Sequence, residues 1–155
     1  DDGSEDETPN ILRKLSKKYK KLQIISRVKN AGGGKSGALN DALRLTSGEW
    51  VLILDADAQL RNDTLIKLLN YALRGKWSAV QLRKSVINER QNLLTQCQSI
   101  EMVMDAFFQI GRLSSGGVSE LRGNGQLINK KILIESGSFN EDTVTDDLDL
   151  VNSMI

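Results

Sequence analysis

Three short stretches of this sequence carry residues whose types and spacing could do chemistry. Asp55-Ala56-Asp57 follows directly on the apolar run Trp50-Val51-Leu52-Ile53-Leu54. Two carboxylates therefore stand at the carboxyl end of a candidate buried strand, which is where open α/β sheets bind ligands. Paired acids in that place can hold a hard divalent cation against phosphate oxygens, although an aspartate-rich turn without a ligand accounts for the same residues. Gly32-Gly33-Gly34-Lys35-Ser36 opens a candidate helix and can offer backbone N–H groups and a lysine to an anion. It is not a Walker A loop, because the first glycine of that pattern would fall on Lys29, and a flexible linker with a solvated lysine is the alternative. Thr145-Asp146-Asp147 fits either an N-cap with acids in the first turn or a general-base site. It lies downstream of Arg122-Gly123-Asn124-Gly125, whose glycines let a ligand approach the backbone closely.

Composition narrows that chemistry. The chain of 155 residues contains no histidine, so Ser-His-Asp and Cys-His mechanisms are excluded and a neutral-pH base comes chiefly from Asp, Glu, Lys or Tyr. A single cysteine, Cys97, makes neither an internal disulfide nor, without histidine, a common structural zinc site. Twenty-one basic side chains nearly cancel 20 acidic ones, leaving no global field to attract nucleic acid. No apolar run approaches the roughly 20 residues that cross a bilayer. The abrupt opening on Asp1-Asp2-Gly3-Ser4, without an initiator methionine, suggests a piece of a longer protein.

The elements that must position these residues alternate. Thr8-Pro9 starts a helix carried by Ile11, Leu12, Leu15, Tyr19 and Leu22, and Leu22–Val28 predicts a strand. A helix from Ser36 stops near Gly48, and Trp50–Leu54 reads as a buried central strand. Asn62 or Asp63 caps a helix through Leu73, and Ser78–Leu82 predicts another strand. A long helix over Asn88–Leu113 carries the stripe Leu93, Leu94, Cys97, Ile100, Met104, Phe107 and Phe108, read as core or as packing against a neighbouring segment, with Cys97 a buried small hydrophobe. A last strand is predicted near Gln126–Asn129. The alternation implies an α/β fold with a mainly parallel sheet flanked by helices. We expect one partial domain over residues 1–155, in halves 1–85 and 86–155, the first carrying Asp55-Ala56-Asp57 and the second Thr145-Asp146-Asp147.

Taken in order, these segments resemble the family 2 glycosyltransferases of the GT-A fold over nearly the whole chain. Asp1-Asp2-Gly3-Ser4 with Asp6 and Thr8 is similar to D-D-G-S-x-D-x-T, and Gly34-Lys35-Ser36-Gly37-Ala38-Leu39-Asn40 to G-K-x-x-A-L-N. Asp55-Ala56-Asp57 resembles the metal-binding D-x-D, Gly123-Asn124-Gly125 the acceptor-side G-x-G, and Thr145-Asp146-Asp147 the T-E-D motif with Asp for Glu in the middle. The resemblance implies that Asp1 and Asp2 contact the base or ribose, that Lys35 lies near the base or diphosphate, and that Asp57, with Asp55, coordinates Mg²⁺ or Mn²⁺. It makes Asp147 the catalytic base, with Asp146 beside it and Gly123 and Asn124 on the substrate side. The subgroup most similar extends polysaccharides or glycosylates lipids at membranes. The resemblance thus implies a nucleotide-diphosphate sugar donor carrying UDP and bound by the half 1–85, a carbohydrate or lipid acceptor served with catalysis by the half 86–155, and a cytoplasmic site at the inner membrane face, with membrane contact through segments absent from this chain. A Gln-x-x-Arg-Trp motif is absent after Asp149, and the resemblance puts two strands of the sheet before Asp1. The piece alone is therefore expected to be inactive and to self-associate through exposed sheet edges. Two alternatives are an inactive nucleotide-sugar-binding or assembly module, and nucleotidyl transfer on a similar fold.

Overall fold

Every second residue of a strand faces the same way, and Gln126–Asn129 (β3) uses both faces. Ile128, fully buried, points into a cluster with Leu43, Ile53, Leu121, Leu133, Phe139 and Leu150, while its neighbour Leu127 meets Leu68 and Ala72 on the other side. β3 is consequently the middle of a three-stranded sheet, flanked by Trp50–Ile53 (β1) and Ala79–Gln81 (β2). The computed structural model describes residues 1–143 and 146–154. Its helices are Thr8–Lys18 (α1), Gly34–Leu45 (α2), Thr64–Gly75 (α3), Leu93–Ser114 (α4), Lys130–Glu135 (α5) and Asp146–Ser153 (α6). Leu43 of α2 and Leu150 of α6 cover one sheet face, and Leu68 and Ala72 of α3 cover the other. Removing the Ile128 side chain beyond Cβ leaves a cavity between these layers. We predict that Ile128→Ala lowers the unfolding free energy by about 2–5 kcal/mol, read as a lower urea midpoint with an unchanged slope.

The sheet corrects three expectations. Both described ladders are antiparallel: β1 and β2 run the same way, but β3 is inserted between them in the opposite sense. β1 is accordingly at an edge, with only Ile53 buried, and the central place belongs to the later strand. Residues 22–28, predicted as a strand, belong to no ladder among the described residues. They bridge a single residue, the Asp1 nitrogen donating to the Ile25 carbonyl at 2.9 Å and the Arg27 N–H donating to the Asp1 carbonyl at 2.9 Å. One bridged residue does not make a strand, since a ladder needs a partner along its length.

Local caps moved several boundaries. The Asn92 side chain accepts from the Thr95 N–H at 2.9 Å, and the Thr95 hydroxyl accepts from the Asn92 N–H at 3.1 Å. This capping box starts α4 at Leu93 and not near Asn88. At α1 it is Asp6, not Thr8, whose carboxylate accepts the first amide, that of Thr8, at 2.9 Å, and hydrogen bonds from Thr8 hold the Asp6 carboxyl below its ordinary pKa. Asp63 precedes α3 but turns its carboxylate to Lys67, a contact that likewise lowers its pKa.

The largest departure is α4. Its stripe Leu93, Leu94, Ile100, Met104, Phe107 and Phe108 is exposed, and Cys97 is exposed with it. The helix is held by its other side, through polar contacts. Glu120 takes an ion pair from Arg112 and another from Arg122 at 2.8 Å, Arg122 also reaches Asp105 at 2.7 Å, and the Gln109 side-chain oxygen accepts from the Glu120 N–H at 2.9 Å. A core role for the stripe is thereby overturned.

Candidate functional site

The ladder registers decide which loops meet. Ile53 of β1 and Gln81 of β2 both pair with Gln126, the first residue of β3. The carboxyl ends of β1 and β2 and the loop entering β3 therefore share one end of the sheet. Asp55-Ala56-Asp57 leaves β1 there in a turn closed by the Ala58 N–H donating to the Asp55 carbonyl at 3.0 Å. Arg122-Gly123-Asn124-Gly125 enters β3 beside it, with Gly123 and Gly125 at positive φ (68° and 81°), as so sharp an approach requires. The Gly125 N–H donates to the Ile53 carbonyl at 2.9 Å, and the Asn124 side-chain oxygen accepts from the Asp55 N–H at 3.2 Å.

Lys35 completes the group from α2. It is the second residue of α2, and its ammonium donates to the Asp55 carboxylate at 2.7 Å. Three segments far apart in sequence, around Lys35, Asp55 and Asn124, thus converge on Asp55. The Lys35–Asp55 pair is about half exposed, so it adds little to stability, but it sets a cation beside a carboxylate where a polyanion would need both neutralised and held. Asp57 lies exposed on the same turn. Asp55 and Asp57 offer hard carboxylate oxygens, and no cluster of three or more Asp, Glu, Cys or His side chains suited to a metal occurs among the described residues. That donor set suits a cation of the Mg²⁺ or Mn²⁺ kind, which takes one or two carboxylates and completes its shell with phosphate oxygens and water.

The remaining residues named from sequence fall in two places. Asp1 is bridged by its backbone to residues 25–27, and its carboxylate accepts from the Ser4 N–H at 3.2 Å; Asp2 is ion-paired to Arg27 at 2.6 Å. Asp146 and Asp147 form the first turn of α6, and Thr145 lies outside the described residues. The helix carrying them is seated by buried Leu150 in the cluster around Ile128. Asp149, two residues on, accepts from the Asn140 side chain at 2.9 Å.

Two positioning residues were missed. Gln81 grips the 122–125 loop from both sides: its carbonyl accepts from the Arg122 N–H at 2.8 Å, and its amide donates to the Asn124 carbonyl at 2.8 Å. The available signal was a polar side chain inside the apolar segment Ser78–Leu82. Asn40, at the end of the Gly34–Asn40 motif, holds the chain leading to α6. Its side chain accepts from the Phe139 N–H at 3.1 Å and donates to the Phe139 carbonyl and the Glu141 carboxylate, each at 2.8 Å.

Acids at the carboxyl end of β1 and a lysine at the start of α2 thus meet over a sheet with helices on both faces, and the likeness below shows that this is a GT-A fold. The chain superimposes on the mannosyltransferase PcManGT from Pyrobaculum calidifontis in complex with GDP-Man and Mn2+ with a TM-score of 0.73, at 23% identity, over 99% of this chain and 41% of that one. Residues 1–137 match the family described as Glycosyl transferase family 2, and the chain belongs to that family. Among its relatives, the beta-monoglucosyldiacylglycerol synthase of Trichormus variabilis is 48% identical over 97% of this chain and 32% of its own length. That of a Synechocystis species is 45% identical over 97% of this chain and 31% of its own. The chain spans about a third of the length of these curated relatives.

Proposed function

We propose that this chain is the donor-binding and catalytic part of an inverting glycosyltransferase that moves glucose from a nucleotide-diphosphate sugar, UDP-glucose first among candidates, to the hydroxyl of a diacylglycerol. The observation that carries the reading is the convergence of Lys35 and Asn124 on Asp55 at the end of β1. The relatives named as beta-monoglucosyldiacylglycerol synthases support the acceptor and the sugar. A lipid acceptor implies work at a membrane surface, which we assign to the cytoplasmic side; among the described residues no helix is long and apolar enough to cross a membrane.

The steps follow from the side chains. Asp1 and Asp2 lie on the nucleoside side, and Lys35 meets the diphosphate. Asp55 and Asp57 would hold a Mg²⁺ or Mn²⁺ ion, which would supply positive charge against the diphosphate. Asp147 takes the proton of the acceptor hydroxyl as its oxygen bonds to the anomeric carbon, and the bond from that carbon to the diphosphate breaks with its electron pair leaving on phosphate oxygen. One displacement inverts the centre, so an α-linked donor yields a β-glucoside and no sugar is ever attached to the protein.

The test is the full-length protein with UDP-glucose, diacylglycerol vesicles and Mn²⁺ or Mg²⁺. A β-glucosyldiacylglycerol with equimolar UDP is expected. An α-linked product removes the inverting mechanism, pyrophosphate release indicates nucleotidyl transfer, and UDP binding without any turnover points to a binding module.

A further inference from the structure

Arg27 joins three segments that the donor reading brings together, and nothing in the resemblance assigns it a role. Its side chain is only 8% exposed. Within that enclosure Nη1 donates to the Asp2 carboxylate at 2.6 Å and to the Gly34 carbonyl at 3.2 Å, Nη2 donates to the Gly32 carbonyl at 2.6 Å, and Nε donates to the Asp41 carboxylate at 2.9 Å. One planar group thus ties the Asp1–Ser4 segment, the glycine loop and α2 together. Asp41 is fixed in turn by Arg44 at 2.7 Å.

We infer that Arg27 is the positioning residue of the donor pocket, holding Asp2 and the Gly32–Gly34 loop in the geometry that presents Lys35 and the loop amides to a nucleoside diphosphate. The inference rests on the donor reading proposed above. Peptide groups are planar and trans, so each carbonyl points opposite to the N–H that follows it. With the Gly32 and Gly34 carbonyls turned onto the guanidinium, the N–H groups of Gly33 and Lys35 face away from it, at the start of α2 where amides lack intrahelical partners. The loop can hold this shape because Gly32, Gly33 and Gly34 all sit at positive φ.

A second observation comes from the other side of the guanidinium. Gly37 is buried in α2, and a Cβ placed there would stand 2.8 Å from Arg27 Nη2 and 2.9 Å from the Gly32 carbonyl oxygen. Glycine at this position is thus what admits the guanidinium to the loop. Lysine could not replace Arg27, since an ammonium lacks the planar fork that spans four acceptors.

The experiment measures UDP affinity by calorimetry with Mn²⁺, and donor KM, acceptor KM and kcat, for the full-length protein and for Arg27→Ala, Arg27→Lys and Gly37→Ala. All three variants are expected to raise the UDP Kd and the donor KM by about tenfold or more, with acceptor KM and kcat within about twofold, because a positioning loss on the donor side removes uniform binding. Millimolar ethylguanidinium is expected to restore donor affinity to Arg27→Ala and to leave Gly37→Ala unchanged. A folded Arg27→Ala protein with wild-type UDP affinity overturns the inference, as does an equal fall in donor and acceptor parameters without guanidinium rescue. Should Arg27→Ala not fold, wild-type donor affinity in Gly37→Ala overturns it. Failure of the unmodified protein to bind UDP or GDP with any divalent cation brings down the donor reading itself, and the inference with it.

Discussion

Asp147→Asn is expected to lower glycosyl transfer by roughly 10²–10⁴-fold, the usual loss when a positioned base is removed. The chain has no histidine, and the acceptor hydroxyl cannot attack efficiently without giving up its proton. On the proposed mechanism a carboxylate takes that proton, and the neighbourhood narrows the choice. Asp55 is paired with Lys35, Asp2 with Arg27, and Asp149 with Asn140. Asp147 stands in the first turn of α6, which Leu150 anchors to the core and whose approach is held by Asn40. Because the base acts on the acceptor, UDP and metal affinity should stay within about twofold of wild type while kcat falls. Asp149→Asn, by contrast, keeps an oxygen that can still accept from Asn140 and should retain most activity. Wild-type turnover in Asp147→Asn, or greater damage from Asp149→Asn, would move the base elsewhere; steady-state assays of UDP release with both variants decide it.

Much of this arrangement was legible because chemistry and periodicity coincide there. The strand ending on Asp55 and the helix opening on Lys35 are local features, set by an apolar run and by a glycine loop, and the structure places them side by side. The pairing of strands was not legible in the same way. β3 is short and pairs with strands that precede it by more than 40 residues, so its insertion between β1 and β2 depends on contacts that no local pattern records. The strand predicted over Leu22–Val28 failed for a related reason: β-branched residues favour an extended chain, but a ladder requires a partner, and Asp1 alone provides one.

α4 shows the limit of periodicity more sharply. Its apolar stripe is real, yet hydrophobic spacing reports only that one face differs from the other, not which face meets the protein. Here Arg112, Gln109 and Asp105 fasten the helix through Glu120 and Arg122, leaving Phe107 and Phe108 outward. The positioning roles of Gln81 and of Asn40, the latter named only as the end of a motif, were missed because they lie in two-sided hydrogen bonding to backbone across 41 and 99 residues, of which a single amide side chain in a sequence carries no sign.

Asp57→Asn is expected to weaken metal-dependent UDP binding on the order of 10²-fold in the full-length protein. A diphosphate brings at least two negative charges to a turn that already bears Asp55 and Asp57, and like charges a few ångströms apart repel strongly unless a cation lies between them. Lys35 offsets one carboxylate, since its ammonium is already on Asp55. Asp57 has no such partner among the described ion pairs, so it is the carboxylate whose charge is left for a metal. Asparagine keeps the size and one oxygen of the side chain but removes the charge, so the turn should fold unchanged while losing most of its hold on Mg²⁺ or Mn²⁺. Two calorimetric titrations separate the effects. With saturating Mn²⁺ the wild type should bind UDP far more tightly than the variant, whereas in EDTA the variant should bind as well as the wild type or slightly better, one repulsive charge having gone. Equal affinities in the presence of metal would remove Asp57 from the cation site and return Asp55-Ala56-Asp57 to the status of a turn.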